Sequence, residues 1–213
     1  MSRPPARDRA ARPGYQDEVR RIAGRSIAGL ERTSVTPDAL TAAGVGLCIA
    51  GSVVVWLEYL SPWLFLAGAA LFVVGSVLDI LDGALARRSG KGTPFGAFLD
   101  STVDRVGEGS MIAAIGLVLM RWENEWGVAL AFAAIAGSFL VSYTRARAEA
   151  LGLKGDVGIG SRAERVVVIT SGLVLAPLHD LVLPVTIGIL AATAWVTVVQ
   201  RVLSVRNQLR DQA

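Results

Sequence analysis

The chain has 213 residues, of which 53% are hydrophobic and 18% are charged, and its mean hydropathy is +0.51. Because soluble domains carry about 25% charged residues, this composition excludes an ordinary soluble protein and indicates an integral membrane protein. The single cysteine, Cys48, excludes a disulfide framework and a cysteine-based metal site.

The N-terminal part of the chain is polar and basic. Residues 1–14 are rich in arginine and proline and lack the apolar core of a signal peptide, which predicts a disordered basic tail. Residues 15–33 carry apolar side chains at spacings of three and four, with arginines on the other faces. This pattern predicts an amphipathic helix in the membrane interface. The alternative is a helix that packs on the core of the protein and faces the aqueous phase.

Six apolar stretches follow, each near the length of about 20 residues that a helix needs to cross the hydrocarbon layer. They cover residues 40–60, 63–85, 98–120, 128–144, 166–183 and 185–203. The sequence therefore predicts an all-α integral membrane protein with a six-helix transmembrane domain over residues 34–213. Pro177 and Pro184 are expected to bend or end the fifth helix. Small residues that suit close helix packing recur along the stretches. They are Gly44, Gly51, Gly68, Gly75 and Gly137.

The distribution of basic residues predicts the orientation. Lysines and arginines are concentrated before the first stretch, after the second and fourth, and at the C-terminal end. The connections on the opposite side contain one basic residue, Arg121. The positive-inside rule therefore places both termini in the cytoplasm. Tryptophans and tyrosines cluster at the opposite ends, as in an aromatic belt. The net charge of +3 is thus explained by topology and anionic lipid, and it does not indicate nucleic-acid binding.

Four aspartates interrupt the second and third stretches: Asp79, Asp82, Asp100 and Asp104. A carboxylate in hydrocarbon costs about 2.5 to 3.5 kcal/mol on insertion scales, so four of them need a compensating partner. Side chains three or four positions apart share one helix face, which predicts two facing pairs of aspartates. Hard divalent cations favour such oxygen ligands. The pattern therefore predicts a metal site near the cytoplasmic ends of two helices.

Two other kinds of protein could contain these aspartates. Buried carboxylates also mark ion or proton pathways in transporters, although a transporter needs access from both faces of the membrane. A non-catalytic membrane protein that binds a divalent ion is the second alternative. Glu108 continues the acidic face one turn beyond Asp104, where it is expected to pair with Arg105 or Arg165 or to lie near a ligand.

The loop between the aspartate pairs favours phosphate chemistry. Gly83 and Gly96 leave room for a ligand to approach the backbone, and Arg87 offers a planar fork that suits phosphate oxygens. Carboxylates, arginine and glycines around one opening indicate phosphoryl or diphosphate chemistry. An opening at the level of the headgroups favours a lipid substrate.

These residues together resemble the signature of a known family. The spacing Asp79-x2-Asp82-Gly83-x2-Ala86-Arg87-x8-Gly96-x3-Asp100-x3-Asp104 is similar, at all of its fixed positions, to that of the CDP-alcohol phosphotransferases. The resemblance covers nearly the whole chain from about Tyr15. It implies a homodimeric six-helix membrane enzyme that transfers a phosphatidyl group from CDP-diacylglycerol to an alcohol and releases CMP.

The resemblance also implies roles for individual residues. Asp79, Asp82, Asp100 and Asp104 would hold two Mg²⁺ or Mn²⁺ ions, and Asp104 would be the base that deprotonates the acceptor. A carboxylate beside a dication stays ionised, which favours ligation over proton uptake. The implied contacts to the CDP-lipid are Thr36, Pro37, Asp38, Ala39, Gly83, Arg87, Thr93 and Gly96. For Thr36 and Asp38, the alternative is that they only cap a helix.

The acceptor is indicated by basic segments later in the chain. Residues 142–150, 155–156 and 162–165 are similar to those of phosphatidylinositol phosphate synthases, whose acceptor is an inositol phosphate (1D-myo-inositol 3-phosphate). The implied contacts to the acceptor phosphate are Arg145, Arg147, Arg162, Arg165 and Arg201. A dianionic acceptor needs such positive charge to approach a site lined with carboxylates. The alternative for each arginine is ordinary positive-inside charge, and the alternative acceptor is glycerol 3-phosphate.

Overall fold

The computed structural model describes residues 36–89 and 93–212. These residues form six helices: α1 (Pro37–Trp56), α2 (Trp63–Ser89), α3 (Pro94–Arg121), α4 (Glu125–Ala150), α5 (Arg162–Leu175) and α6 (Val182–Asp211). Short 3-10 turns at Glu58–Leu60 and Ala176–Leu178 follow α1 and α5. This described part contains no strand, so the all-α prediction is confirmed there. The predicted basic tail (1–14) and amphipathic helix (15–33) lie outside the described residues.

Four of the helices are long and apolar enough to cross a membrane. The qualifying segments are Asp38–Trp56, Trp63–Gly83, Glu125–Ala150 and Val182–Asp211. The N-terminal half of α3 carries several charged side chains, and α5 has 14 residues, which rise about 21 Å against a hydrocarbon layer of about 30 Å. A multi-pass membrane protein is therefore confirmed, whereas the count of six spans stays a prediction.

The helix ends differ from the predicted bounds for local reasons. Thr36 caps α1 by accepting from the Ala39 N–H at 3.2 Å, and Thr93 caps α3 by accepting from the Gly96 N–H at 2.9 Å. Such caps satisfy backbone donors that the first turn leaves without partners. At the other extreme, α5 ends at Leu175. Pro177 lies in the 3-10 turn that follows, as predicted, because proline lacks the N–H that would continue the helix. The same prediction for Pro184 is wrong, since Pro184 lies in the first turn of α6, where proline is tolerated.

The start of α5 is held by a capping box between Ser161 and Glu164. The Ser161 N–H donates to the Glu164 carboxylate at 2.5 Å, and the Glu164 N–H donates to Ser161 Oγ at 3.4 Å. The backbone hydrogen bond from Ser161 holds the pKa of the Glu164 carboxyl below its ordinary value. These reciprocal bonds fix the first turn of α5, which carries two of the predicted acceptor arginines.

Helices α1 and α2 pack with their backbones in close contact at glycines. A Cβ atom built on Gly44 would lie 2.9 Å from the Gly75 carbonyl oxygen, and one built on Gly51 would lie 2.9 Å from the Gly68 carbonyl oxygen. No real Cβ makes contacts this short, so both positions require glycine. The predicted packing role of these residues is confirmed, and the close approach brings Asp79 next to α1.

The apolar core separates two polar ends of the helix bundle. Phe72, Met111, Ile115 and Ile169 are among the fully buried side chains of the core, which all six helices line. Contacts between neighbouring helices show that successive helices run in alternating directions. The ends of α2, α4 and α6 and the starts of α1, α3 and α5 therefore lie at the same end of the bundle. We call this the acid end because it contains the four aspartates. The other end, with Glu58 and Arg121, is called the opposite end.

Candidate active site

Three aspartates at the acid end form a group that suits a metal ion. Asp79 and Asp82 on α2 are buried, and Asp100 on α3 is half-buried. Each contributes a carboxylate oxygen, and these oxygens lie within 4.8 Å of one another. The α2 pair forms because residues three apart share a helix face, and α3 brings Asp100 against it. Carboxylate oxygens at this separation are the donor set that hard divalent cations prefer.

The hydrogen bonding of Asp82 agrees with a cation at this position. Thr41 on α1 donates to Asp82 Oδ2, whereas the buried Oδ1 atom lacks a well-oriented hydrogen-bond donor among the described residues. A buried carboxylate oxygen without a partner carries a large desolvation penalty. A bound cation would remove that penalty, so the residues present fit a metal site.

Asp104 lies one turn beyond Asp100 and outside this group of three. Its Oδ2 accepts from Arg105 Nη1 at 3.0 Å, and its Oδ1 lies 2.6 Å from Arg162 Nη2. Arg105 in turn donates from Nε to Ser142 Oγ at 2.6 Å. Asp104 is therefore held between an arginine of α3 and an arginine of α5. Its two predicted roles, as metal ligand and as base, stay predictions.

Arg162, one of the arginines predicted to contact the acceptor phosphate, lies beside the aspartates, and its contact with an acceptor stays a prediction. Its guanidinium forms ion pairs with both Asp79 and Asp104, so it lies among the four aspartates Asp79, Asp82, Asp100 and Asp104, which we call the acid cluster. Sequence spacing gave no signal for the pair with Asp79, because the two residues are separated by 83 positions. A guanidinium here offsets part of the repulsion between two carboxylates on different helices.

The other predicted acceptor arginines are distributed over three environments. Arg165 is buried and pairs with Glu108, which was one of the two partners predicted for Glu108. Arg201 donates to backbone carbonyls, from Nε to Val157 at 2.8 Å and from Nη1 to Val141. Arg145 is exposed and forms an ion pair with Glu149 at 2.9 Å.

Arg147 is also exposed. Together with Arg201 it lines an open cavity of about 180 Å³ between α4 and α6. The structure thus places Arg162 in the acid cluster and Arg165 in a buried pair, and it leaves Arg145 and Arg147 on the surface of α4.

Several of the residues predicted to contact the CDP-lipid lie at the neighbouring starts of α1 and α3. A Cβ built on Gly96 would lie 3.8 Å from Asp38 Oδ1 and 3.2 Å from Thr93 Oγ1, which shows that the two helix starts are neighbours. Pro37 and Ala39 belong to the first turn of α1, and Gly83 and Arg87 continue α2 beyond Asp82. Thr36 and Thr93 both cap helices, which agrees with both predictions for Thr36, as a cap alone and as a cap that also contacts the CDP-lipid. Their contacts with a ligand stay predictions.

Comparison with known proteins identifies the family. The model of the CDP-alcohol phosphatidyltransferase family matches residues 34–205. The chain belongs to this family. The prediction from the aspartate spacing is thereby confirmed, and the protein is a membrane transferase.

Relatives of the chain include archaetidylinositol phosphate and phosphatidylinositol phosphate synthases. The chain is 37% identical to an archaetidylinositol phosphate synthase of Pyrococcus horikoshii over 93% of this chain and 96% of the relative. A crystal structure of Mycobacterium tuberculosis phosphatidylinositol phosphate synthase with CDP-DAG bound has a TM-score of 0.77 at 32% identity, covering 87% of this chain and 94% of that one. The same mycobacterial enzyme in complex with manganese and citrate gives a TM-score of 0.74 at 32% identity, covering 86% and 88%.

Proposed function

We propose that this protein transfers the phosphatidyl group of CDP-diacylglycerol to 1D-myo-inositol 3-phosphate, giving phosphatidylinositol phosphate and CMP. The observation that carries the proposal is the group of three carboxylates, Asp79, Asp82 and Asp100, with oxygens within 4.8 Å of one another and with Asp104 and Arg162 beside it. The similarity to inositol-lipid synthases supports the acceptor. Glycerol 3-phosphate is the competing acceptor.

Asp79, Asp82 and Asp100 would hold the metal, which we propose to be Mg²⁺ or Mn²⁺ with two ions per site. Both ions suit carboxylate ligands. When bound, they would neutralise charge on the diphosphate and on the departing CMP. The buried position of Asp79 and Asp82 keeps water away from these ligands and strengthens their interaction with the cation.

In the proposed step the acceptor hydroxyl oxygen bonds to the phosphorus that carries the diacylglycerol. The bond from that phosphorus to the bridging oxygen of CMP breaks, and the hydroxyl proton passes to the Asp104 carboxylate. Arg105 and Arg162 both contact Asp104 and favour its ionised form before the reaction. They also fix the direction of its carboxylate relative to α5.

The acceptor phosphate would approach on the side of α5, and Arg162 would provide its first contact. A phosphate dianion is repelled by the aspartates, so positive side chains must line its path. Arg145, Arg147 and Arg201 lie farther along this route at the ends of α4 and α6, and would contribute long-range attraction. An arginine fork also binds phosphate through two parallel hydrogen bonds.

We further propose that the acid end faces the cytoplasm, in a cell membrane crossed six times by a homodimeric protein with both termini in the cytoplasm. Basic residues such as Arg147 and Lys154 lie at the acid end, in agreement with the positive-inside rule. At the opposite end Trp56, Trp63 and Trp126 are exposed, as in an aromatic belt.

The test is CMP release by the purified full-length protein in detergent, with CDP-diacylglycerol and Mg²⁺ or Mn²⁺. The acceptor is varied among inositol phosphate, inositol and glycerol 3-phosphate. We expect metal-dependent CMP release with inositol phosphate. Turnover with glycerol 3-phosphate alone would contradict the acceptor but not the reaction, and no metal-dependent release with any acceptor would contradict both.

A further inference from the structure

Glu108 and Arg165 form a buried ion pair beside the acid cluster, and the proposed reaction step does not use it. Arg165 Nη2 donates to Glu108 Oε2 at 2.9 Å, and Arg165 Nε lies 2.8 Å from Glu108 Oε1. Ser138 on α4 donates to the same Oε1 atom at 2.7 Å. The two charged side chains are only 7% and 10% exposed. The pair therefore joins α3, α4 and α5 at one buried point.

This pair lies where it can set the position of Arg162. Arg162 and Arg165 are three positions apart at the start of α5, so they share a helix face. Arg165 Nη1 also donates to the Gly160 carbonyl at 3.2 Å, which ties down the segment leading into α5. Glu108 follows Asp104 by one turn of α3. Two arginine–carboxylate pairs thus link the start of α5 to consecutive turns of α3.

Arg162 lies beside a small cavity, so its position depends on the Glu108–Arg165 pair that holds the start of α5. Asp79, Asp104, Glu108 and Arg162 line a cavity of about 20 Å³, which is room for about one water molecule. Helix α5 otherwise packs on α2 and α6. A shift of its first turn would therefore move the Arg162 guanidinium relative to both aspartates, with little free space to absorb the change.

We propose that Glu108 is a positioning residue for phosphatidyl transfer: through Arg165 it holds the start of α5 so that Arg162 reaches Asp104 and the acceptor phosphate. The inference rests on the proposed function and assigns Glu108 no contact with a substrate. Without the carboxylate of Glu108, the buried Arg165 loses its charged partner and the start of α5 shifts. The affinity for the acceptor then falls because Arg162 is displaced. The affinity for the CDP-lipid, which α1, α2 and α3 would bind, does not change.

The test is a steady-state measurement of CMP release by full-length Glu108→Gln protein in detergent, with Mn²⁺ and with each substrate varied in turn. Glutamine keeps the volume and an oxygen that accepts from Ser138, but it removes the charge. We expect the KM for inositol phosphate to rise about tenfold and the KM for CDP-diacylglycerol to stay within about twofold, since hydrogen bonds between charged groups contribute at this level.

Two further variants separate positioning from general stability. Ser138→Ala removes one hydrogen bond to Glu108 and leaves both charges, so the acceptor KM should rise about threefold, in line with a neutral hydrogen bond. Glu58→Gln breaks the matched pair of Glu58 with Arg121 at the other end of α3. It should lower the Tm and leave the acceptor KM unchanged.

The outcomes distinguish the inference from the function on which it rests. An unchanged acceptor KM in Glu108→Gln and Ser138→Ala, with an active wild-type protein, would overturn only the role of Glu108. An equal rise in acceptor KM in Glu58→Gln would overturn it too, because the effect would then be general loosening. If Glu108→Gln does not fold, Ser138→Ala decides alone. No CMP release by the wild-type protein would overturn the proposed function and this role together.

Discussion

Helix α3 carries arginine–carboxylate contacts at both of its ends, and the two ends differ in the ratio of positive to negative side chains. At the opposite end Arg121 pairs with Glu58 at 2.6 Å, donates to the Trp56 carbonyl at 3.0 Å and lies over the Tyr59 ring at 4.5 Å. The positive charge of Arg121 is thus balanced by one carboxylate, and a carbonyl oxygen and an aromatic ring complete its contacts. These contacts tie α3 to the connection between α1 and α2, and they leave the Glu58 carboxylate paired.

At the acid end the described carboxylates outnumber the described arginines that contact them. The carboxylates counted here are Asp79, Asp82, Asp104 and Glu108, and the arginines are Arg105, Arg162 and Arg165. A buried excess of negative charge is unfavourable unless a ligand neutralises it. The ion pair at the opposite end therefore holds helices together, whereas the excess of carboxylates at the acid end suits a bound divalent cation.

The largest expected effect is that of Asp104→Asn, which removes the proposed base. We expect turnover to fall by about 10² to 10⁴-fold, the usual contribution of general base catalysis. Binding of CDP-diacylglycerol should remain close to that of the wild-type protein. CMP release and lipid binding, measured on the same preparation, check this. Loss of folding in the variant would mean that the aspartate is structural, as the acids of the opposite end are.

Asp82→Asn tests the charge excess itself. The variant keeps the acceptor oxygen for Thr41 but removes a proposed metal ligand, so turnover at fixed Mn²⁺ should fall by more than about 100-fold, since even residues that only support a metal ligand contribute 10–100-fold. The measurement is CMP release as a function of Mn²⁺ concentration. Wild-type turnover at the same Mn²⁺ concentration would contradict a metal site at Asp82.

Arg121→Gln tests whether the Glu58–Arg121 pair at the opposite end stabilises the fold without a role in activity. It leaves the buried Glu58 carboxylate without its charged partner, so the free energy of unfolding should fall by about 1–3 kcal/mol. The kinetic constants for both substrates should not change, because the pair lies at the far end of α3. Thermal unfolding in detergent and CMP release check the two parts. A change in either KM would show that the two ends are coupled.

The smallest expected effect belongs to one member of a matched pair of glycine variants on α1. Gly44→Ala places a Cβ 2.9 Å from the Gly75 carbonyl oxygen and should destabilise the protein by about 1–3 kcal/mol through overpacking. Gly46 has no atom within 4 Å of a built Cβ, so Gly46→Ala should be neutral or stabilising by up to about 1 kcal/mol. Their Tm values compare directly. Equal values would show that α1 and α2 are not in close contact at the acid end.

Much of the architecture could be predicted from periodicity and spacing. The apolar stretches gave the helices, and the three-residue spacing of Asp79 and Asp82 gave their shared face. The helix ends were less predictable. The apolar side chains continue past Pro177, but the α-helix does not, because proline has no N–H to donate to the preceding turn. The short α5 (Arg162–Leu175) follows from that proline and from the capping box at Ser161.

The contacts between distant segments could not be predicted from the sequence. Arg162 pairs with Asp79 across 83 positions, and Arg165 with Glu108 across 57. Positive charges after the fourth stretch are equally consistent with membrane topology and with phosphate binding. The packing of α5 against α2 places Arg162 beside the aspartates, whereas Arg145 and Arg147 lie on the surface of α4. The sequence alone does not distinguish these two positions.

The central claim, that the acid end binds a divalent cation for phosphatidyl transfer to inositol phosphate, is tested most directly by the lipid product. Purified protein is incubated with CDP-diacylglycerol and inositol phosphate, with Mn²⁺ or with EDTA, and the lipids are identified by mass spectrometry. We expect phosphatidylinositol phosphate with Mn²⁺ and none with EDTA. Formation of this lipid in EDTA, or its absence in Mn²⁺ from folded protein, would contradict the claim.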